Sequence, residues 1–413
     1  MSFGPILAAA FVLWPVMAVL GGQGFAPLLG VTGLAALAVA RPRMPPAPFA
    51  LIGFGFIAWA TISEAWAPGH RPIISGSFLD GDFAVGARSV SAILLALTGA
   101  LAIGAALRAR PAPRASGVIA GALGLHGFFV ISTIFLSGWV LSFVYGDDAS
   151  RLNEGVQNLG RSANALALGL PLLLPMLALR MRPAGPVLAV LLAGGAAAAF
   201  VLFGYDSALV ALVGMGIAIG LVALLPRIGF RWLFGGLAGY IAAAPVLFAV
   251  LIRALDPVAQ HLPDSFRSRL WSWETVIGRM SDAPFIGHGL NAARTWRETY
   301  SSRPDWLAQL PDFWKDYPIV PGHPHNMALQ IWAETGMVGA VLAALCLVGL
   351  AFHLPRPNEL RPEIRFAVAG LAGAAASVFS FAYSFWNEGF WAALALAAAA
   401  LVLWNRTLQE EAE

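Results

Sequence analysis

Two histidines one residue apart, His323 and His325, stand between Pro321 and Asn326 and directly ahead of a long apolar run. Imidazole exchanges its proton nearer neutrality than any other side chain. Beside the positive end of a helix dipole His325 would stay neutral, ready to take a proton as a general base. Pro324 suits a first helical turn, so a helix is expected to start there, with His325, Leu329, Trp332 and Gly336 on one face by their 4-3-4 spacing. Two other readings of the same residues stay open. His325 could be an interfacial residue that caps the helix, or His323 and His325 could form half of a metal site. No further cysteine or carboxylate stands at ligand spacing to complete such a site, so no metal and no cofactor are expected.

Three further groups join this list. Glu334 follows on the same helix, about 13 Å beyond His325 at 1.5 Å per residue. A carboxylate at that depth should face the bundle interior, either lining a pocket or bonding a neighbouring helix. Gly336 and Gly339 are expected to let helices pack closely. Arg267 and Arg269 carry planar guanidinium forks that match phosphate oxygens, although a pair snorkelling to lipid head groups would look the same. Arg161 and Asn164 are expected at the start of another span, where Arg161 could clamp phosphate or anchor the interface.

These residues need a scaffold, and the scaffold is apolar. Hydrophobic residues make up 59% of the 413 positions and charged residues 11%, with a mean hydropathy of +0.74. Soluble domains carry about 25% charged residues, so the chain lacks the polar surface that water would require. Apolar runs long enough to cross a hydrocarbon core of roughly 30 Å can be placed at 5–20, 25–40, 47–62, 88–107, 116–136, 163–180, 185–203, 206–225, 231–252, 326–352, 364–384 and 389–405. Backbone groups in lipid must be satisfied within the span, so each is expected to be a helix. The fold class is therefore an all-α polytopic membrane protein with about twelve spans: residues 1–252 hold spans one to nine, 253–325 a long loop, and 326–413 the last three spans and a short tail. The first run lacks a basic leader and reads as a retained span. The lone cysteine, Cys346, excludes an intrachain disulfide, and a net charge of +3 spread over loops does not suggest a nucleic-acid surface.

Arginine placement gives the orientation. Alternate loops hold Arg41, Arg43, Arg108, Arg110, Arg114, Arg180, Arg182, Arg227, Arg231, Arg356, Arg361, Arg365 and Arg406, whereas the other short loops hold only Arg71, Arg88, Arg151 and Arg161. By the positive-inside rule both termini are cytoplasmic. The loops near 63–87 and 137–162 and the long loop from about Arg253 to His325 then face outward. In the long loop Leu270, Trp273, Ile277 and Met280 recur at helical spacing, as in an amphipathic interfacial helix. Its five tryptophans suggest a structured element, and its prolines from Pro304 to Pro324 suggest irregular chain before the tenth span.

In this order the segments resemble the O-antigen ligase and polymerase superfamily of membrane glycosyltransferases. The resemblance rests on His325-Asn326-x-x-Leu329-x4-Glu334-x-Gly336-x-x-Gly339, on Arg269-Leu270-Trp271 with Pro284-x-x-Gly287-x-Gly289, and on Gly160-Arg161-x-x-Asn164. It covers the second half well and the first five spans by hydropathy alone. It implies metal-independent, inverting transfer of a glycan from undecaprenyl diphosphate to an acceptor hydroxyl at the outer face of a bacterial inner membrane. The acceptor would be lipid A-core for a ligase, or another glycan for an O-antigen or exopolysaccharide polymerase. The resemblance makes His325 the base and Arg269, Arg267 and Arg161 the diphosphate clamp. Asn326, Glu334, Asn164 and His323 give support, and the long loop forms a lid. One motif is missing: where the family shows Ser-Arg before its eighth span, this chain reads Gly204-Tyr205-Asp206-Ser207-Ala208. A transporter or flippase is the reading from another class. It would place polar residues at mid-membrane in several spans, and spans one to nine are almost bare of charge.

Overall fold

The computed structural model describes residues 2–68, 74–75, 84–85, 88–145, 149–308 and 310–411. Thirteen α-helices run through them, broken by short 3-10 turns and one two-residue antiparallel pairing, Ile74–Ser75 with Ala84–Val85. The helices are α1 (Phe3–Val19), α2 (Phe25–Val39), α3 (Ala47–Ser63), α4 (Arg88–Arg108), α5 (Pro113–Tyr145), α6 (Ala149–Arg180), α7 (Gly185–Leu202), α8 (Asp206–Leu224), α9 (Gly229–Leu255), α10 (Asp264–Met280), α11 (Met327–His353), α12 (Pro362–Phe381) and α13 (Glu388–Glu410). Ten of the described helices are long and apolar enough to cross a membrane, and α1 and α2 are shorter apolar helices. The chain is an all-α, multi-pass membrane protein. Its exposed large side chains are Leu, Val, Ile, Phe and Trp along the spans, as expected of a bundle whose solvent is lipid.

The arginine-rich loops gather at one end of this bundle. The Arg43 amide donates to the Gly104 carbonyl at 3.0 Å, and the Asn358 amide to that of Pro226 at 2.8 Å. The Arg180 and Arg361 guanidiniums donate to the carbonyls of Pro113 and Leu408 at 2.6 and 3.3 Å. The opposite end holds α10, the long loop and the α12–α13 connector. Most of the expected loop at 63–87, Arg71 with it, lies outside the described residues, as does the side chain of Arg151.

Two sequence expectations need correcting here. The stretch 137–162 is not an open loop: α5 runs on to Tyr145 and α6 starts at Ala149. Its polarity keeps it from counting as a span, and within it Gln157, Gly160 and Arg161 face a cavity rather than lipid. Arg161 and Asn164 consequently lie well inside α6, not at its start. The second correction concerns the tenth span. Its helix begins at Met327, capped by Asn326, whose side-chain oxygen accepts the Leu329 amide at 3.0 Å. His325 precedes the helix with φ 48°, so it shares no helical face with Leu329 and Trp332.

Gly336 breaks α11 with φ 63° and ψ −167°. Phe285 and Gly287 press into the break, and Gly287 itself has φ 70°. The Met337 and Val338 amides donate to the carbonyls of Pro284 and Phe285 at 2.9 and 3.2 Å. The His288 and Gly289 amides donate to those of Ala333 and Glu334, both at 2.9 Å. Gly336 therefore admits a loop, not a packed helix, and the exchange satisfies backbone groups that the break would orphan. α10 is the amphipathic helix expected, but its apolar face lies on protein. Leu270, Trp273, Val276 and Met280 are buried, and Trp273 sits edge-on to Phe248 of α9 with centroids 4.8 Å apart.

Candidate active site

At this end of the bundle a cavity of about 830 Å³ is lined by α6, the start of α8, α10, the long loop and the α12–α13 connector. Of the sequence-derived residues, Arg161, Asn164, Arg269, His323 and His325 line it.

The connector is placed by two fully buried polar residues of α11. Gln330 accepts the Phe385 amide at 2.8 Å and donates to Ser384 at 2.9 Å and to the Glu334 carboxylate at 3.1 Å. The same carboxylate accepts the Trp386 indole at 2.5 Å and the Asn291 amide at 2.8 Å. Glu334 thus ties the long loop and the connector to α11 and does not line the cavity. Buried carboxylates need such donors. Asn326 is likewise structural, since beyond its capping role it donates to the Tyr240 hydroxyl at 3.0 Å.

His325 is held in a left-handed backbone conformation that costs a non-glycine residue about 1–2 kcal/mol. Its Nδ1 donates to the Ala382 carbonyl at 3.2 Å. A carbonyl can only accept, so the neutral ring keeps its proton on Nδ1 and leaves a lone pair on Nε2. Burial holds the His325 pKa at about 4, with the Arg269 charge pushing the same way and the Ala382 contact opposing. Neutrality was expected from the helix dipole; burial is its larger source.

Arg269 is desolvated, which lowers its pKa, while the negative side chain of Asp206 and the Tyr300 hydroxyl oppose that shift. Asp206, at the place of the missing Ser-Arg motif, is thus near enough for its charge to act on Arg269. A buried guanidinium of this kind favours an anion beside it. Arg161 is oriented by Asn158, to which it donates at 2.9 Å. Arg267 is elsewhere. It is buried, pairs with Asp264 and does not line the cavity. The reason is helical geometry, because positions two apart on α10 point about 200° apart around its axis.

Sequence reasoning passed over several lining residues. Tyr383 of the connector hydrogen-bonds the Asn164 side chain, and burial lifts its pKa to about 12. Asn164 also accepts the Ser207 hydroxyl at 3.0 Å. Arg294 and Asn291 come from the loop, and Arg88 pairs with Glu388 at 2.6 Å. A signal existed for α6: Gln157, Gly160, Arg161, Asn164 and Leu168 recur at three- and four-residue steps and form one stripe along the cavity. The loop and connector residues carry no comparable pattern. Among the described residues no group of three or more His, Cys, Asp or Glu converges as metal ligands do.

Comparison with known proteins bears on this arrangement. Residues 188–344 match the family described as O-antigen ligase, a stretch that runs from α7 into α11 and includes Arg269, His323, His325 and Glu334 but neither Arg161 nor Asn164. Proteins named as polysaccharide ligases from Rickettsia conorii, Rickettsia typhi and Rickettsia felis are 28%, 26% and 25% identical over 154 residues. That is 36% of this chain and 35–36% of theirs, so the match spans about a third of those relatives. No solved structure matches the chain. Through the segment that carries its long loop and paired histidines, the chain is similar to the O-antigen ligase superfamily.

Proposed function

We propose that this protein transfers a glycan from undecaprenyl diphosphate to a hydroxyl of lipid A-core, as an O-antigen ligase. The observation that carries the reading is a single cavity holding a neutral histidine with its Nε2 lone pair available, beside the guanidiniums of Arg269 and Arg161. In this reaction His325 Nε2 takes the acceptor hydroxyl proton as that oxygen attacks the anomeric carbon. The bond from that carbon to the diphosphate breaks, and the electron pair leaves with undecaprenyl diphosphate. One displacement inverts the anomeric centre. Arg269 and Arg161 meet the charge that grows on the leaving group, which is where fixed positive groups lower a barrier most. The arginine-rich end is cytoplasmic, with both termini, and the cavity opens to the periplasm of the inner membrane.

Purified protein, a lipid-linked glycan and lipid A-core test the proposal directly. The expected products are glycosylated lipid A-core with an inverted linkage and free undecaprenyl diphosphate. Lengthened lipid-linked glycan in place of these would make the protein a polymerase, and neither product would overturn the reading.

A further inference from the structure

The proposed reaction uses one of the two histidines at the cavity, yet their contact constrains both. The backbone amide of His325 donates to His323 Nδ1 at 3.1 Å, inside a turn where His325 has φ 48° and Gly322 has φ 82°. The carbonyl of the intervening Pro324 is held by the Trp273 indole at 2.9 Å. A ring nitrogen that accepts a hydrogen bond carries no proton, so neutral His323 keeps its proton on Nε2. At His325 the assignment is the reverse, because Nδ1 donates to Ala382. The rings, 4.2 Å apart between centroids, therefore stand in opposite tautomers. One offers the cavity an acceptor and the other a donor. Burial first, then the charge His325 would carry if it were protonated, and the charges of Arg294 and Arg269 keep His323 from protonating.

We propose that His323 is a positioning residue that holds His325 in its left-handed conformation through Nδ1, and that its Nε2–H donates to the same diphosphate oxygens that Arg269 faces. This rests on the glycan-transfer reading above. Both parts come from one side chain, and amide isosteres separate them. In His323→Asn the side-chain oxygen replaces Nδ1, keeping the acceptor for the His325 amide and removing the Nε2–H. In His323→Gln the amide nitrogen replaces Nε2 and the acceptor is lost.

Steady-state transfer from undecaprenyl-diphosphate-linked glycan, at varied donor concentration, reads kcat and KM for each variant. Monodisperse elution and an unchanged melting temperature serve as the folding check. Scaled to one hydrogen bond, His323→Asn should keep kcat within about threefold and raise donor KM about tenfold, while His323→Gln should lower kcat about tenfold at near-normal KM. Asn and Gln variants with the same kinetics, whether both normal or both impaired, overturn the assignment. His325→Ala run alongside separates the two layers of the argument. If it is inactive and no Asn–Gln split is seen, only the role of His323 falls; if it still transfers glycan, the base reading beneath it falls.

Discussion

Replacing Gly336 by alanine tests whether docking of the 284–289 loop into broken α11 builds the site. Gly336 has φ 63° and ψ −167°, a region that is essentially glycine's alone and costs another residue about 1–3 kcal/mol. A Cβ there would stand 2.3 Å from the Phe285 oxygen, 2.4 Å from its carbonyl carbon and 2.6 Å from the Gly287 nitrogen. All three are backbone atoms, so no side-chain rotation relieves the overlap, and forced overpacking costs about 1–3 kcal/mol more. The combined penalty is then about 2–6 kcal/mol, and at about 1–2 °C per kcal/mol for a chain of this length a fall in Tm of about 2–12 °C is expected. Transfer activity should fall with it, because the same loop carries Asn291 and Arg294 to the cavity. Gly216→Ala supplies the control, since no heavy atom lies within 4 Å of its would-be Cβ on the exposed side of α8. Relief of a mid-helix glycine should leave that variant neutral or up to about 1 kcal/mol more stable. Thermal unfolding of both variants in one detergent decides the matter. A Gly336→Ala protein that melts with its Gly216→Ala counterpart would refute the docking account.

Activity should also depend on pH in an unusual way. With the His325 pKa at about 4 rather than the ordinary 6.5, the base stays unprotonated as pH falls through the imidazole range. The kcat profile should be flat on its acid side until near pH 4, and a midpoint at about 6.5 would contradict the burial argument. Stability follows the opposite course to that of a histidine held in an ion pair. The unfolded chain binds the proton near pH 6.5 and the folded chain does not, so stability is lost as pH drops from about 6.5 towards 4. Arg269→Leu should reduce transfer by about 10² to 10³, the effect typical of losing one preorganised charge. Arg267→Leu should stay within a few-fold of wild type, because Arg267 lies outside the cavity and its partner Asp264, left unpaired, is 43% exposed and open to water. Equal losses in the two variants, measured as kcat/KM, would mean that both arginines serve the cavity.

Much of the fold was legible because lipid makes it so. Runs of apolar residues at spanning length have few alternatives when every backbone group must be satisfied within the span, and ten described helices and two shorter ones cover the twelve expected runs, with α5 and α6 extending well beyond theirs. What the pattern missed is local. Hydropathy stops counting at the polar stretch 137–162, although Gln157, Arg161 and Asn164 lie on one helical face and needed only a cavity to face. Pro324 pointed to a first helical turn, but Asn326 is the better cap, and the chain reaches it through a left-handed histidine that no periodicity could reveal.

The candidate site divides along the same line. His325, His323, Arg269, Arg161 and Asn164 converge on one cavity, and residue chemistry had singled them out. Arg267 does not join them, and two-residue spacing on a helix was sufficient ground to separate it from Arg269. Glu334 and Asn326 act behind the cavity wall, holding the connector and the start of α11. Tyr383, Arg294 and Ser207 reach the cavity from loops or a helix start, where contacts distant in sequence decide a side chain's place.

The account turns on His325 acting as the acceptor of a proton and not as a ligand for the donor. Equilibrium binding of undecaprenyl-diphosphate-linked glycan to purified His325→Ala, measured beside its transfer rate, tests that most directly. Binding within a few-fold of wild type with transfer reduced by about 10² or more, the lower range for a lost general base, is the expected result. Transfer at the wild-type rate, or loss of donor binding in step with transfer, would contradict it.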